Sequence, residues 1–166
     1  MVAVASRLIL AGVVLALAAP AAAQTGLIAR KDLSFVIAKA IADKAHGMCE
    51  AEGQKISTHV VDRNGNTIIS YTSDGAGPHT FENSRRKAYT AMTFRRPSKE
   101  FGERLAMNDS GAQLQLMLPS MSGQQGGLPI RVGDDVIGGV GMSGSAGGRD
   151  EPCVQAGLDA VAGMLR

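Results

Sequence analysis

The sequence predicts a single domain of mixed helices and strands, and three observations carry this prediction. An amphipathic helix is predicted over Lys31–Glu52. Asn64-Gly65 separates two β-prone runs, which is the strongest short-range signal for a hairpin. A glycine-rich second hairpin precedes a C-terminal helix. The predicted order is helix, two strands, two helices, two or three strands, helix.

The first 23 residues have the pattern of a secretory signal peptide. One early charge, Arg7, precedes an apolar run over 8–19, and three alanines at 21–23 precede Gln24. The apolar run is shorter than the roughly 20 residues that a membrane span needs. We therefore expect residues 1–23 to be removed. The mature domain, 24–166, is then periplasmic or secreted and has no membrane span; a retained anchor is the alternative.

Composition argues against nucleic acid as a partner. The formal net charge is +2, and the chain has no tryptophan and few other aromatic residues. A nucleic-acid protein would carry a basic patch or aromatic stacking platforms. The arginine pairs at 85–86 and 95–96 are interpreted instead as a helix face or a small anionic pocket.

The two cysteines, Cys49 and Cys153, allow one pairing. In an oxidising compartment they could form a disulfide that closes a long loop, or they could remain free and buried. Because no Cys-x-x-Cys motif is present, a thioredoxin-like role is not expected.

The predicted first helix has two apolar stripes. One consists of Leu33, Val36, Ile37, Ala40 and Ile41, and the other of Phe35, Ala38, Ala42, His46 and Cys49. A helix that is apolar on two sides is covered on two sides. One cover is expected to be the domain's own sheet, and the other a neighbouring subunit or the last helix. The subunit is the preferred interpretation, which predicts a homo-oligomer.

The middle and end of the chain have clear start and stop signals. A turn-rich cluster at 73–78 leads into a second helix over 80–94, which is capped by Thr80 and ends before Pro97. A short third helix is predicted over 98–106, and a long surface loop over 107–125. The last helix is predicted over 150–165, with Pro152 in its first turn.

The stretch "GVGMSG" (139–144) matches the spacing of a dinucleotide-binding motif. That motif needs a helix opening inside it and an acidic residue about 20 residues later. Here Ser145-Ala146-Gly147-Gly148 follows, and too little chain remains. The glycines are better interpreted as places where another backbone, or a flat ligand, approaches the strand closely.

Several blocks, in order, resemble the GlcG/HbpS family of small haem-binding proteins, to which the C-terminal domain of the PduO proteins is related. They are "VVDRNGNTI", "SDGAG" followed by "RKAYTA", "GGLPI" and "GDDVIGGVGMSGS…DEPCVQAGL". The resemblance covers nearly all of the mature chain. It implies an α+β fold with an antiparallel sheet of about five strands and flanking helices, similar to profilin or PAS domains. It also implies homo-oligomers and, for some members, haem.

The candidate cofactor-binding residues are Asp74, His79, Arg86, Lys87 and Thr90. Cations beside a hydroxyl on one helix suit carboxylates such as haem propionates. The resemblance associates the threonine of a K-A-x-T segment, Thr90 here, with haem. The alternative for this helix is a solvated charged face.

Two histidines, His79 and His46, are candidate iron ligands because imidazole commonly binds haem iron. An exposed loop histidine and an interface histidine are the respective alternatives. His59, in a predicted strand, is expected to be a core imidazole. Glu100 and Glu103 are similar to the E-x-x-E pairs proposed for iron in this family, although a surface pair is the simpler interpretation.

No hydrolase motif is present in the sequence. The leading hypothesis, which the resemblance implies, is an exported binding protein for haem or a related planar, carboxylate-bearing cofactor. The alternatives are an enzyme, or an accessory protein, that acts on a small organic acid, and an oligomeric scaffold without a ligand.

Overall fold

The computed structural model describes Gly26 and residues 28–166, so the predicted signal peptide, 1–23, lies outside the described residues. Residues from Lys31 to Arg166 form one compact unit. The helices are α1 (Phe35–Ala51), α2 (Pro78–Phe94), α3 (Ser98–Ala106), α4 (Ser110–Leu116) and α5 (Asp150–Ala160), and the strands are β1 (Ser57–Asp62), β2 (Thr67–Thr72), β3 (Gly127–Val132) and β4 (Asp135–Ser143). No helix among the described residues is long and apolar enough to cross a bilayer.

The strands form one sheet in the order β2-β1-β4-β3, and every neighbouring pair is antiparallel. The α+β fold class is therefore confirmed, with four strands in the described chain instead of about five. Asp62 shapes the first hairpin turn, since its Oδ1 accepts hydrogen bonds from the backbone N–H groups of Asn64 and Asn66. Gly65 has a φ of 83°, a conformation that glycine adopts without steric cost.

Helices cover both faces of the sheet. On one face, α1 and α5 pack over β4 residues such as Val140 and Met142, which belong to the main hydrophobic core together with Ile41 and Val154. On the opposite face, α2 lies across β4, β1 and β3. Successive residues of β4 therefore alternate between the two layers.

The glycines of β4 allow α2 to lie against the sheet. A Cβ on Gly139 would overlap the carbonyl oxygen of Ala88, and one on Gly141 would overlap that of Ser84. Gly127 of β3 is in the same position relative to the carbonyl of Lys87. The glycine motif therefore serves close approach of another backbone, as predicted, and that backbone is α2.

The prediction that the second stripe of α1 is a subunit interface is wrong, because that stripe packs within the chain. Ala38, Ala42, His46 and Cys49 are buried within the chain, where α1 packs on α5 and the sheet. The last helix, the other cover considered, is the correct one. Phe35, the first member of the stripe, is the first residue of the helix and is 58% exposed.

Cys49 and Cys153 form a disulfide that joins α1 to α5, with a sequence separation of 104 residues. Both half-cystines are fully buried in the core between the two helices and the sheet. Of the two states left open by the sequence, the structure contains the paired one.

Several predicted boundaries differ from the structure because of capping. Helix α1 begins at Phe35, where the Ser34 hydroxyl accepts a hydrogen bond from the N–H of Ile37. Helix α2 begins earlier than predicted, since Pro78 occupies its first turn, so Thr80 is not its cap. Helix α4 lies inside the predicted surface loop, and Asp109 caps it.

Candidate functional site

A groove runs along the exposed side of α2. One part has a volume of about 360 Å³ and the adjoining part about 390 Å³, and they share Asn83, Arg86 and Gln124. Polar side chains line the first part: His79, Glu82, Asn83, Arg86 and Gln124. The second part adds apolar side chains, namely Leu105, Leu116 and Met121. We call the whole the α2 groove; it has one polar end and one apolar wall.

Asn83 organises the polar floor of the α2 groove. Its Nδ2 donates to Gln124 Oε1 at 2.6 Å and to Ser143 Oγ at 3.0 Å. Its Oδ1 accepts from the Ser122 hydroxyl at 3.3 Å. The residue therefore connects α2 to the end of β4 and to the segment before β3, which positions Gln124 over the groove.

Thr90 holds the apolar wall in place from beneath. Its Oγ1 accepts a hydrogen bond from the backbone N–H of Ser122 at 2.9 Å, and its hydroxyl lies 3.7 Å from Met121 Sδ. Thr90 is fully buried, so it supports the groove without facing it.

The polar end contains one carboxylate between two guanidinium groups. Glu82 accepts two hydrogen bonds from Arg85, at 2.8 and 2.9 Å, and one from Arg86 Nε at 3.0 Å. The hydrogen bonds from Arg85, joined by the one from Arg86, lower the pKa of Glu82 to about 2 although partial burial opposes the shift. The same contact raises the pKa of Arg85. Glu82 and Arg85 are therefore charged at neutral pH.

The structure brings His79 and Arg86 together in the α2 groove, as two of the predicted cofactor-binding residues. Asp74 is exposed in the preceding turn and does not line the groove. Lys87 is buried, and its Nζ donates to the Met142 carbonyl at 2.9 Å and to Asp150 Oδ2 at 2.8 Å. Its ammonium group thus serves a buried ion pair within the fold.

His46 is not part of the groove, because it lies on the face of the sheet that α1 covers. Its Nδ1 is 3.0 Å from Thr58 Oγ1, and its Nε2 is 3.2 Å from Ser73 Oγ. Burial lowers the pKa of this imidazole, and the nearby carboxylate of Glu50 offsets only part of that decrease. Both ring nitrogens are engaged in hydrogen bonds.

His59 is a core imidazole beneath α2. Its Nδ1 is 2.8 Å from Ser84 Oγ, and its ring meets Phe81 edge-on at 4.5 Å between centroids. Burial, together with the positive charge of Arg85, lowers the pKa of His59 to about 4. The side chain is therefore neutral in the folded protein at neutral pH.

The glutamate pair of α3 lies near other charges. Glu100 Oε2 is 3.7 Å from Arg96, and Glu103 is exposed. Within the described residues, the one group of three or more potential metal ligands consists of Cys49, Glu52 and Cys153, and its sulfurs are joined in the disulfide.

The sequence reasoning missed most of the groove's lining. Glu82 could have been found, because it precedes Arg86 by four residues on a helix, the spacing of an ion pair. Gln124 and Met121 had no such signal. They come from a segment without regular structure, whose path depends on contacts with Asn83 and Thr90.

Comparisons with known proteins give the same picture of the fold. The crystal structure of a double mutant of Streptomyces reticuli HbpS matches with a TM-score of 0.76 and 34% identity, over 87% of this chain and 97% of that one. GlcG of Escherichia coli (strain K12) is 29% identical over 111 residues, which are 67% of this chain and 81% of GlcG. A crystal structure of a PduOC:heme complex is similar in fold, with a TM-score of 0.70 and 20% identity over 78% of this chain and 95% of that one.

The family assignment rests on a match that spans most of the domain. A family model described as "Haem degrading protein HbpS-like" matches residues 33–159, from the end of the segment before α1 to the last turn of α5. The match includes both hairpins, the glycines under α2 and the α2 groove. The chain belongs to the HbpS-like family.

Proposed function

We propose that this protein binds haem, or a related planar molecule that carries carboxylates, in the α2 groove. The observation that carries the proposal is the pairing of an apolar wall with a cationic end in one groove. Leu105, Leu116 and Met121 form the wall. Arg86 lines both this part of the groove and the part that contains His79. A flat macrocycle needs apolar contact on its face and cations for its propionates.

The residues present fit such a ligand. The apolar wall would contact the ring, and the Arg86 guanidinium would pair with a carboxylate. The exposed imidazole of His79 is the groove's candidate iron ligand, since imidazole is a common axial ligand of haem. When bound, haem would supply redox-active iron. The protein's own groups bind and orient the ligand and shield one face from water.

Relatives support the choice of ligand. The family model names haem, and a structure with the same fold is a complex with heme. Because the family description also names haem degradation, an enzyme is the second candidate. Haemin spectra recorded over time in the presence of ascorbate distinguish the two functions: stable bands support binding, and progressive bleaching with a protein-dependent rate supports degradation.

Haemin titration tests the proposal. The purified protein should produce a Soret band that shifts and saturates near one haemin per chain. Arg86→Gln should weaken this binding by roughly tenfold, since a charge-assisted hydrogen bond contributes about 1.5 kcal/mol or more. Arg149→Gln is the matched control, because Arg149 also pairs with a glutamate, Glu52, but lies at the start of α5. A free-haemin spectrum in the presence of the wild-type protein would reject the proposal.

A second variant tests the role of His79. His79→Ala should change the Soret position and the spin-state bands of bound haemin, because the iron would lose an imidazole ligand. His46→Ala, on the other face of the sheet, is the comparison. If His46→Ala changes the bands and His79→Ala does not, the iron ligand has been assigned to the wrong histidine.

We also propose that the protein is exported. The pattern of residues 1–23 supports this, and so does the Cys49–Cys153 disulfide, since such bonds persist in oxidising compartments. Fractionation of cells that express the full chain, followed by N-terminal sequencing, should find a mature protein that begins at Gln24 outside the cytoplasm. A cytoplasmic protein that retains Met1 would contradict the proposal.

A homo-oligomer is proposed on the basis of exposed apolar side chains. Phe35 and Val36 protrude at the start of α1, and Leu114, Met117 and Leu118 protrude around α4. Surfaces of this kind commonly mark interfaces. Light scattering should show an assembly that Leu114→Glu with Met117→Glu dissociates while the circular dichroism stays unchanged. A monomeric wild-type protein would contradict the proposal.

A further inference from the structure

We propose that Glu82 is an internal counter-anion of the α2 groove: it pairs with Arg86, the guanidinium group that a ligand carboxylate needs, and thereby limits the affinity of the site. This inference rests on the proposed function and concerns how the affinity of the groove is set. Glu82 repels the carboxylates of the ligand instead of binding them.

The geometry of the three side chains carries the inference. The Glu82 carboxylate is bonded to both Nε and Nη2 of Arg85 and to Nε of Arg86, with distances from 2.8 to 3.0 Å. It lies in the lining of the groove beside His79 and Gln124, so it is where an entering anion would arrive. A ligand carboxylate that pairs with Arg86 must displace Glu82 or lie against its negative charge.

Protonation does not relieve this competition near neutral pH. The two arginines lower the pKa of Glu82 to about 2, so the carboxylate stays ionised. One negative charge between two positive charges still leaves this trio cationic. The groove therefore attracts anions, but less strongly than the two arginines alone would. An anionic ligand must exchange an existing ion pair for a new one.

The amide variant Glu82→Gln separates charge from shape. It keeps the length of the side chain and an oxygen that accepts from the arginines, and it removes the competing charge. Haemin should bind this variant about threefold more tightly or better. Such a change in affinity corresponds to the upper half of the free energies that solvent-exposed ion pairs contribute. The dimethyl ester of haemin, which lacks propionate charges, should bind the wild type and the variant equally.

Glu52→Gln is the matched control. Glu52 also pairs with an arginine, Arg149, but it caps the end of α1 and is not part of the groove. It should leave haemin affinity unchanged, which excludes an effect of net charge alone. Circular dichroism establishes that each variant is folded.

The outcomes distinguish this inference from the proposed function. If the wild type binds haemin and Glu82→Gln binds it equally or more weakly, the counter-anion role is wrong and haem binding stands. If Glu82→Gln increases the affinity for the ester as much as the affinity for haemin, the role is also wrong, because the increase does not involve carboxylates. If none of the proteins binds haemin saturably, both proposals fail.

Discussion

Lys87 Nζ lies 2.8 Å from Asp150 Oδ2, and the two side chains are only 4% and 10% exposed. Lys87 belongs to α2 on one face of the sheet, whereas Asp150 begins α5 on the other. The ammonium group also donates to the Met142 carbonyl of β4, and Asp150 Oδ1 accepts from the N–H of Ser145. This buried pair therefore connects both helical layers around the end of the sheet.

Removing the ammonium group of Lys87 should destabilise the protein. Lys87→Met leaves Asp150 buried without a counter-charge, which should lower the free energy of unfolding by about 3–5 kcal/mol. Urea denaturation measures the loss. Adding Asp150→Asn removes the uncompensated charge and should recover part of the stability. Unchanged stability in Lys87→Met would show that the pair does not contribute to the fold.

A methyl group beneath α2 should also destabilise the protein. Gly141→Ala would overlap the Ser84 carbonyl, so the helix must shift, at a cost of about 1–3 kcal/mol. Gly47→Ala is the control, because a Cβ there has no neighbour within 4 Å and Gly47 lies within α1. It should stabilise by about 1 kcal/mol, from helix propensity. Equal thermal midpoints for the two variants would contradict this account of the packing.

The disulfide should contribute to stability through the unfolded chain. Because it closes a loop of about a hundred residues, Cys49→Ala with Cys153→Ala should lower the free energy of unfolding by about 4–5 kcal/mol. Denatured, unreduced protein should contain no titratable thiol. Two titratable thiols in protein purified under oxidising conditions would mean that the bond does not form.

The buried histidines predict a loss of stability in mild acid. Burial lowers the pKa of His59 from 6.5 to about 4, and it lowers the pKa of His46 as well. The unfolded chain therefore binds protons first as the pH falls through 6.5, so unfolding becomes more favourable down to about pH 4.

His59→Gln isolates one part of this pH dependence. Between pH 6.5 and 4, the slope of unfolding free energy should decrease by up to about 1.4 kcal/mol per pH unit relative to the wild type. Denaturation curves at a series of pH values measure it, and the carboxylates contribute equally to both proteins. An unchanged slope would show that His59 titrates alike in the folded and unfolded states.

The elements with local signals could be predicted from the sequence. Asn64-Gly65 specified the first hairpin, and the order of helices and strands followed from periodicity. The existence of α4 was missed because its seven residues fall within a segment that is rich in Met, Ser and Gln. Its cap, Asp109, was the available signal.

Residues of the candidate site could be placed together from the sequence only where they share one helix. His79 and Arg86 both lie on α2, so sequence spacing placed them in one region. Spacing could not tell that Lys87, next to Arg86, points inward to Asp150, since that depends on where α5 begins in space. The apolar wall was not predicted, because it comes from α3, α4 and a loop that meet only in the folded chain.

The bond between Cys49 and Cys153 makes the sheet, α2 and the groove part of a covalent ring. Beside the disulfide, Glu52 and Arg149 form an ion pair inside the ring. Outside the ring, Lys31 Nζ donates to the carbonyl of Arg166 at 2.8 Å. A single cut of the backbone inside the ring, for example in the exposed turn at Gly75, would therefore release no fragment. The two pieces would remain one molecule until a reductant opened the disulfide.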